Sequence, residues 1–195
     1  MFDFSKNYFE LFGMPVGFLL DVAELSARYR ELQKVVHPDR YAASGEQSQR
    51  LSLQSATMVN EAYQTLKDPL KRAQYLLTLK GMEIDAPQKT LNDPAFLMQQ
   101  MELREALAGV RDMADPQAEL DALLREIGNM SKTLVGQLAV QFEESCPEQL
   151  QAAAQTVQKM QFLNKLQAEA AVSGVLVLAD QTGAHNVLAD LFTGG

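Results

Sequence analysis

Hydrophobic side chains repeat every three or four residues along most of this chain, the spacing of one face of an α-helix. A short helix is predicted over residues 7–12, stopped at Gly13 with Pro15 just beyond. Asp21 stands where an N-cap would, with Glu24 three residues on, an aspartate version of the capping box. The helix it opens carries Leu25, Tyr29, Leu32 and Val36 on one face over about four turns. Pro38 ends it, because proline disfavours helical geometry in the residue before it. A third helix is predicted from Gly45, running through Leu51, Met58, Ala62 and Leu66. Asp68 and Pro69 then cap and open a fourth, with Ala73, Leu76 and Leu77, which closes at Gly81.

Residues 82–92 contain Pro87 and no apolar period, the pattern of a linker. Three longer helical segments follow, over residues 93–113, 116–142 and 147–171, and Leu120, Leu124, Ile127, Leu134 and Leu138 give the second its core stripe. Short connections between long helices favour antiparallel neighbours. The expected fold is therefore all-α: a helical hairpin with short flanking helices over residues 1–81, then a C-terminal antiparallel three-helix bundle over 93–171. Residues 172–195 break the pattern. GVLVLA is β-branched and strand-like, and Gly183, NVLADLF and a double glycine come after it, so this tail has no assigned place in the bundle.

With 195 residues and 47% hydrophobic side chains, the chain can bury a core without covalent staples. Its single cysteine, Cys146, allows no internal disulfide and no cysteine-held zinc, which fits a reducing, cytoplasmic setting. The first twelve residues carry acids and lack the basic and apolar regions of a secretory signal. The apolar run at 172–179 is far short of the roughly 20 residues that a membrane span needs, so no membrane partner is expected. Net charge is −8, but residues 1–80 hold ten Lys and Arg against nine Asp and Glu, leaving seven against sixteen for the remainder. The two parts therefore face different partners, and an acidic chain without a basic cluster is a poor match for nucleic acid.

His37, Pro38 and Asp39 sit directly between the second and third helices. Short helix, helix with basic residues, His-Pro-Asp, long helix, then a fourth: this order, with Val-Asn-Glu-Ala-Tyr at 59–63 and Asp68-Pro69 after it, resembles the J-domain family over about the first 80 residues. On the second helix Arg30 and Lys34 fall near the side opposite Leu25 and Val36, an exposed basic strip. Pro38 fixes a turn, the His37 ring can donate or accept, and Asp39 offers an acceptor that an arginine could grip. The resemblance implies a DnaK/HscA-type ATPase chaperone as partner, whose hydrolysis is stimulated by docking and not by a supplied catalytic group. It makes His37, Pro38, Asp39, Arg30, Lys34 and Arg40 the chaperone-binding residues.

Further along, PAFLMQQMELREAL and KMQFLNKL are similar to the HscB family of J-domain co-chaperones, extending the resemblance over about residues 7–168. At about 100° per residue, Phe96, Leu103, Leu107 and Val110 share the face expected to turn into the bundle. Leu97, Met98 and Met101 fall on another face, beside Glu102 and Glu105. An apolar centre with a carboxylate rim suits a partner site, and methionine suits an adaptable one. Phe162 lies about 140° around its helix from Val157, so it too need not be core. Periodicity alone favours burial of both stripes, since methionine at helical spacing is more often core than site. The resemblance reverses that judgement: it implies that Leu97, Met98, Met101, Glu102, Glu105 and Phe162 bind an IscU-type iron–sulfur scaffold, with no cofactor held by the protein itself. Position 109 is glycine where the family commonly has an acid, which removes one rim contact, and the cysteine-rich N-terminal metal site of some eukaryotic relatives has no counterpart here. The family also closes with an amphipathic helix of acids and leucines, whereas the sequence after Ala171 lacks that period, as a frame change or a lineage-specific replacement would leave it.

Three other readings compete. Cys146 and His185 as nucleophile and base lack a Gly-rich loop, an oxyanion motif and an orienting group, so no enzyme is expected. His37 with His185 as a metal pair lacks further ligands at useful spacing. A J protein for general unfolded clients would carry Gly/Phe-rich or cysteine-rich modules, and a purely structural adaptor leaves the His-Pro-Asp context without a reason.

Overall fold

A computed structural model describes residues 3–36, 45–82, 93–144 and 146–182, with side chains through 174 in the last stretch. Every regular element among the described residues is helical: α1 (Tyr8–Leu11), α2 (Val22–Val36), α3 (Glu46–Lys67), α4 (Pro69–Leu79), α5 (Pro94–Gly109), a 3-10 turn (Val110–Asp112), α6 (Pro116–Glu144) and α7 (Pro147–Thr182). No helix among the described residues is long and apolar enough to cross a membrane. The chain forms two compact units, one of Met1–Ile84 with Gln137–Ala154, the other of Asp85–Gly136 with Gln155–Gly195.

In the first unit α2 and α3 form an antiparallel hairpin, because partners on α2 run up the sequence as those on α3 run down. Ser26 shares a hydrogen bond with Tyr63 at 3.1 Å, the Tyr29 hydroxyl donates to Asn60 at 2.8 Å, and the Ser52 hydroxyl donates to the Val36 carbonyl at 2.8 Å. Tyr29 and Tyr63 stack with ring centroids 4.0 Å apart. Leu25, Val59, Ala62 and Leu66 are fully buried between the helices. The buried stripe of α3 starts at Ser52 and Ser55, and Leu51 beside it is 43% exposed. Small hydroxyls let the backbones approach closely, and each satisfies its own donor on a carbonyl, Ser55 on Leu51 at 2.7 Å.

Helix ends follow local chemistry with one exchange. Asp21 does accept from the Ala23 and Glu24 amides, but Glu24 turns its carboxylate to Arg28 at 2.7 Å and does not close the predicted box. Arg28 in turn donates to the Phe12 and Gly13 carbonyls at 2.7 and 2.8 Å, tying α2 to the end of α1. The complete capping box is at Asn7 and Glu10 on α1. Asp68 caps α4 and Pro69 opens it. Past its end, Gly81 at φ +74 allows a Schellman closure, with Gly81 N–H on the Thr78 carbonyl and Met82 N–H on that of Leu77.

Arg72 is buried in this unit, where it donates to the Leu66 carbonyl at 2.5 Å and lies over the Phe18 ring, which stacks on Phe142 at 5.5 Å. Its surroundings pull its pKa down through desolvation, with the Asp68 charge opposing.

The second unit packs α5 against the parts of α6 and α7 that belong to it. Phe96, Leu103, Leu120, Ile127, Val157, Leu163 and Leu166 are buried there, and Val110, Leu120 and Ala170 form a cluster that Leu107 and Leu124 flank. α7 does not stop near residue 171. It continues to Thr182 through the GVLVLA stretch read from its pattern as strand-like. Valines lower helix propensity by only a few tenths of a kcal/mol each, and extending an existing helix needs no new nucleus. Packing supports the extension at its start: a Cβ on Gly174 would lie 2.9 Å from Leu120 Cδ2, so glycine permits close approach to α6 there. The remainder of the tail, 183–195, lies outside the described residues.

Candidate functional site

Two surfaces hold the residues singled out in the sequence. On α2, Arg30 and Lys34 are both exposed, while Leu25 and Val36 are buried on the other side of the helix. The tyrosine stack and the Asn60 bonds from Tyr29 and Gln33 fix this helix against α3, so the basic strip stands on a braced element. His37, Pro38, Asp39 and Arg40 lie outside the described residues.

The second surface is on α5. Phe96, Leu103 and Val110 are buried as its periodicity predicts, and Leu107 is partly buried. Leu97 is 41% exposed, Met98 65% and Met101 64%, with Glu102 and Glu105 exposed beside them. Apolar area left in water costs about 25 cal/mol per Å², so a cluster of three large side chains in water is a reservoir of binding energy for a partner that covers it.

The start of α5 is held by a chain of contacts that sequence periodicity does not reveal. Asp93 Oδ1 accepts the Phe96 amide at 3.0 Å as the N-cap, and Asp93 Oδ2 takes the Lys159 ammonium of α7 at 2.6 Å. The Lys159 bond and the Phe96 amide hold the Asp93 carboxyl below the usual aspartate value. Lys159 also lies over the Phe96 ring at 5.2 Å, and Phe96 meets Phe162 edge to face at 5.8 Å. Phe162 is half-buried, and the Arg104 guanidinium sits 5.5 Å from its ring centre. The ring is thus clamped between α5 and α7 with part of it still open to solvent. The hydrophobic pattern does not single out Arg104 or Lys159, although Arg104 falls seven residues after Leu97 and hence on the same side of α5.

No group of three or more His, Cys, Asp or Glu among the described residues could hold a metal. Cys146 is half-buried just before α7, and His185 lies outside the described residues. What both surfaces offer is recognition: charge on one, apolar area with charged edges on the other.

Known proteins share this arrangement. The DnaJ domain family matches residues 7–75, and the HSCB C-terminal oligomerisation domain matches residues 92–171. The co-chaperone protein HscB homolog of Vibrio cholerae is 48% identical over 163 residues, covering 84% of this chain and 94% of that protein. The chain belongs to the HscB co-chaperone family. An HscB homolog of Shewanella baltica is 46% identical over the same length. Among solved structures, HscB from Vibrio cholerae superposes with a TM-score of 0.79 at 43% identity, covering 88% of this chain and 99% of that one. Human HscB gives 0.80 at 29% identity, over 88% and 83%. The all-α fold with an N-terminal J domain is therefore that of the HscB family, and the match of the C-terminal family ends at residue 171, inside α7.

Proposed function

We propose that this HscB-family co-chaperone binds an IscU-type iron–sulfur scaffold, delivers it to a DnaK/HscA-type ATPase chaperone and stimulates that ATPase, assisting cluster maturation and transfer in the cytoplasm. The division of labour follows the segments: a J domain over 1–81, a linker over 82–92 and a scaffold-binding domain over 93–171. The observation that carries the reading is the exposure of Leu97, Met98 and Met101 on a helix whose opposite face already supplies the core. Glu102 and Glu105 form a rim to this patch, and Phe162 joins it from α7. An interface of this kind takes most of its energy from a few desolvated side chains near its centre, while the rim excludes water and sets orientation.

Docking to the ATPase is assigned to Arg30 and Lys34 on α2 with His37, Pro38, Asp39 and Arg40 in the segment after it. The protein contributes no group to ATP hydrolysis. It acts by binding one state of the ATPase more tightly than another, since a ligand shifts an equilibrium only by its differential affinity. The test is single-turnover ATP hydrolysis by a specialised DnaK/HscA-type ATPase with this protein, an IscU-type scaffold, or both. Stimulation by the protein alone and a larger, synergistic rate with both are expected. Equal stimulation with and without scaffold removes the delivery role.

A further inference from the structure

We propose that residues 183–195 of this chain fold back along α7 and seat in a groove at the end of α5, where they mask one side of Phe162 from the scaffold. The masking rests on the scaffold-binding reading; the seating does not.

The groove lies within the second unit and has a volume of about 420 Å³, between the end of α5, the 3-10 turn and α7. Leu107 and Val110 give it an apolar lining, and Arg104, Arg111 and Glu169 stand exposed around it. Among the described residues neither arginine forms an ion pair, so two uncompensated guanidinium groups share the groove with one carboxylate. An apolar lining beside excess positive charge fits a segment that carries large apolar side chains and an acid. Ser173, half-buried, closes the α7 side, two residues past the end of the family match at 171. The groove is therefore built in part by the stretch of α7 that lies beyond that match.

The same end of the chain carries the occupant. Thirteen residues, 183–195, follow Thr182, with Leu188, Leu191, Phe192 and Asp190 among them and no Lys or Arg. In an extended segment alternate side chains share a side, so Leu188, Asp190 and Phe192 face one way in the order apolar, acid, apolar. The reach suffices. From Ser173 to Thr182 α7 rises about 14 Å, and the chain from Thr182 to Asp190 spans up to about 26 Å when extended. Gly183, directly after the helix, is the residue type that lets a chain reverse at a helix end. Tethering lowers the affinity that is needed: a short link gives an effective concentration of order mM, so a contact too weak to hold a free peptide keeps the tail in place for roughly half of the time or more. Arg104 lines the groove and lies 5.5 Å from the Phe162 ring, so a seated tail stands beside that ring. A scaffold that covers Phe162 must displace it, and its apparent affinity falls with the fraction of molecules whose tail is seated.

The chain has no tryptophan, so Phe192→Trp in the full-length protein places a single fluorophore on the tail, read by acrylamide quenching. The quenching constant should be about twofold or more lower than in the same reporter carrying Arg111→Glu. Adding Asp190→Lys to Arg111→Glu should restore the protection, because the pair then has its charges exchanged. A reporter as accessible in the parent background as beside Arg111→Glu overturns the seating. Protection that grows with protein concentration assigns the tail to the groove of a second copy and overturns it as well. For the masking, scaffold affinity is measured for the parent, for Asp190→Lys and for the chain stopped after Thr182. Both variants should bind an IscU-type scaffold about two- to tenfold more tightly than the parent, at an unchanged melting temperature. Equal affinity in all three overturns the masking. Leu97→Ala keeps the two readings apart: if it binds scaffold as the parent does, the scaffold face fails and the masking with it, while the quenching result still decides the seating.

Discussion

α2 and α5 both carry exposed charge, yet they are built differently. α2 has one apolar stripe and spends it on the hairpin core, with Leu25 and Val36 buried and Arg30 and Lys34 outside. α5 buries Phe96 and Leu103 and still exposes Leu97, Met98 and Met101. A helix needs one apolar face to fold and a second only to bind, because extra apolar area in water contributes nothing to folding. On the proposed reading the comparison separates two sources of partner energy: charge on α2, and desolvation of apolar area on α5.

The largest effect is expected on the α2 side. His37→Gln should abolish stimulation of the ATPase partner in single-turnover hydrolysis, with melting temperature and scaffold affinity unchanged; normal stimulation by the variant would reject docking through His37. Next in size, Phe96→Ala removes a buried ring and should destabilise the second unit by about 3–5 kcal/mol in denaturant titration, because truncating a core aromatic leaves a cavity. Phe162→Ala, on the half-exposed ring that Phe96 supports, should cost about 1–3 kcal/mol of scaffold affinity by calorimetry with much less loss of stability. A Phe162 variant that loses both equally would place the ring in the core.

The smallest predicted effect concerns Asp93. Its folded pKa lies below the ordinary 3.8, so the unfolded chain binds the proton more tightly. The contribution of the cap and the Lys159 bridge is therefore full above about pH 4 and fades as pH falls through the lower, folded value. Asp93→Ala should lower stability at neutral pH, as for other lost N-caps, and should remove this acid dependence. An acid unfolding curve unchanged by the substitution would contradict it.

Much of this was legible in the sequence, and the misses have physical causes. The double stripe of α5, the Asp68-Pro69 junction and the α6 core stripe follow from spacing that the fold obeys. On α3 Leu51 is outside while Ser52 and Ser55 are buried, because the serines satisfy their hydroxyls on helix carbonyls, which a hydrophobicity pattern cannot express. Glu24 left its capping box for Arg28, a competition between two nearby partners for one carboxylate. The α7 extension was misread because β-branched residues suggest a strand, whereas a long preceding helix and the Gly174 approach to Leu120 favour continuing the helix. The Asp93–Lys159 bridge joins residues 66 apart in sequence, a distance at which spacing carries no signal.

The central claim is that the two faces of α5 do separate jobs, and paired substitutions on them test it most directly. For Leu97→Ala and Leu103→Ala, scaffold affinity by calorimetry and melting temperature are measured on the same preparations. The account predicts that Leu97→Ala loses about 1–3 kcal/mol of affinity at a nearly constant melting temperature, while Leu103→Ala is destabilised by about 2–5 kcal/mol. If Leu97→Ala melts as early as Leu103→Ala and binds scaffold like the parent, the outer stripe belongs to the core and the account is contradicted.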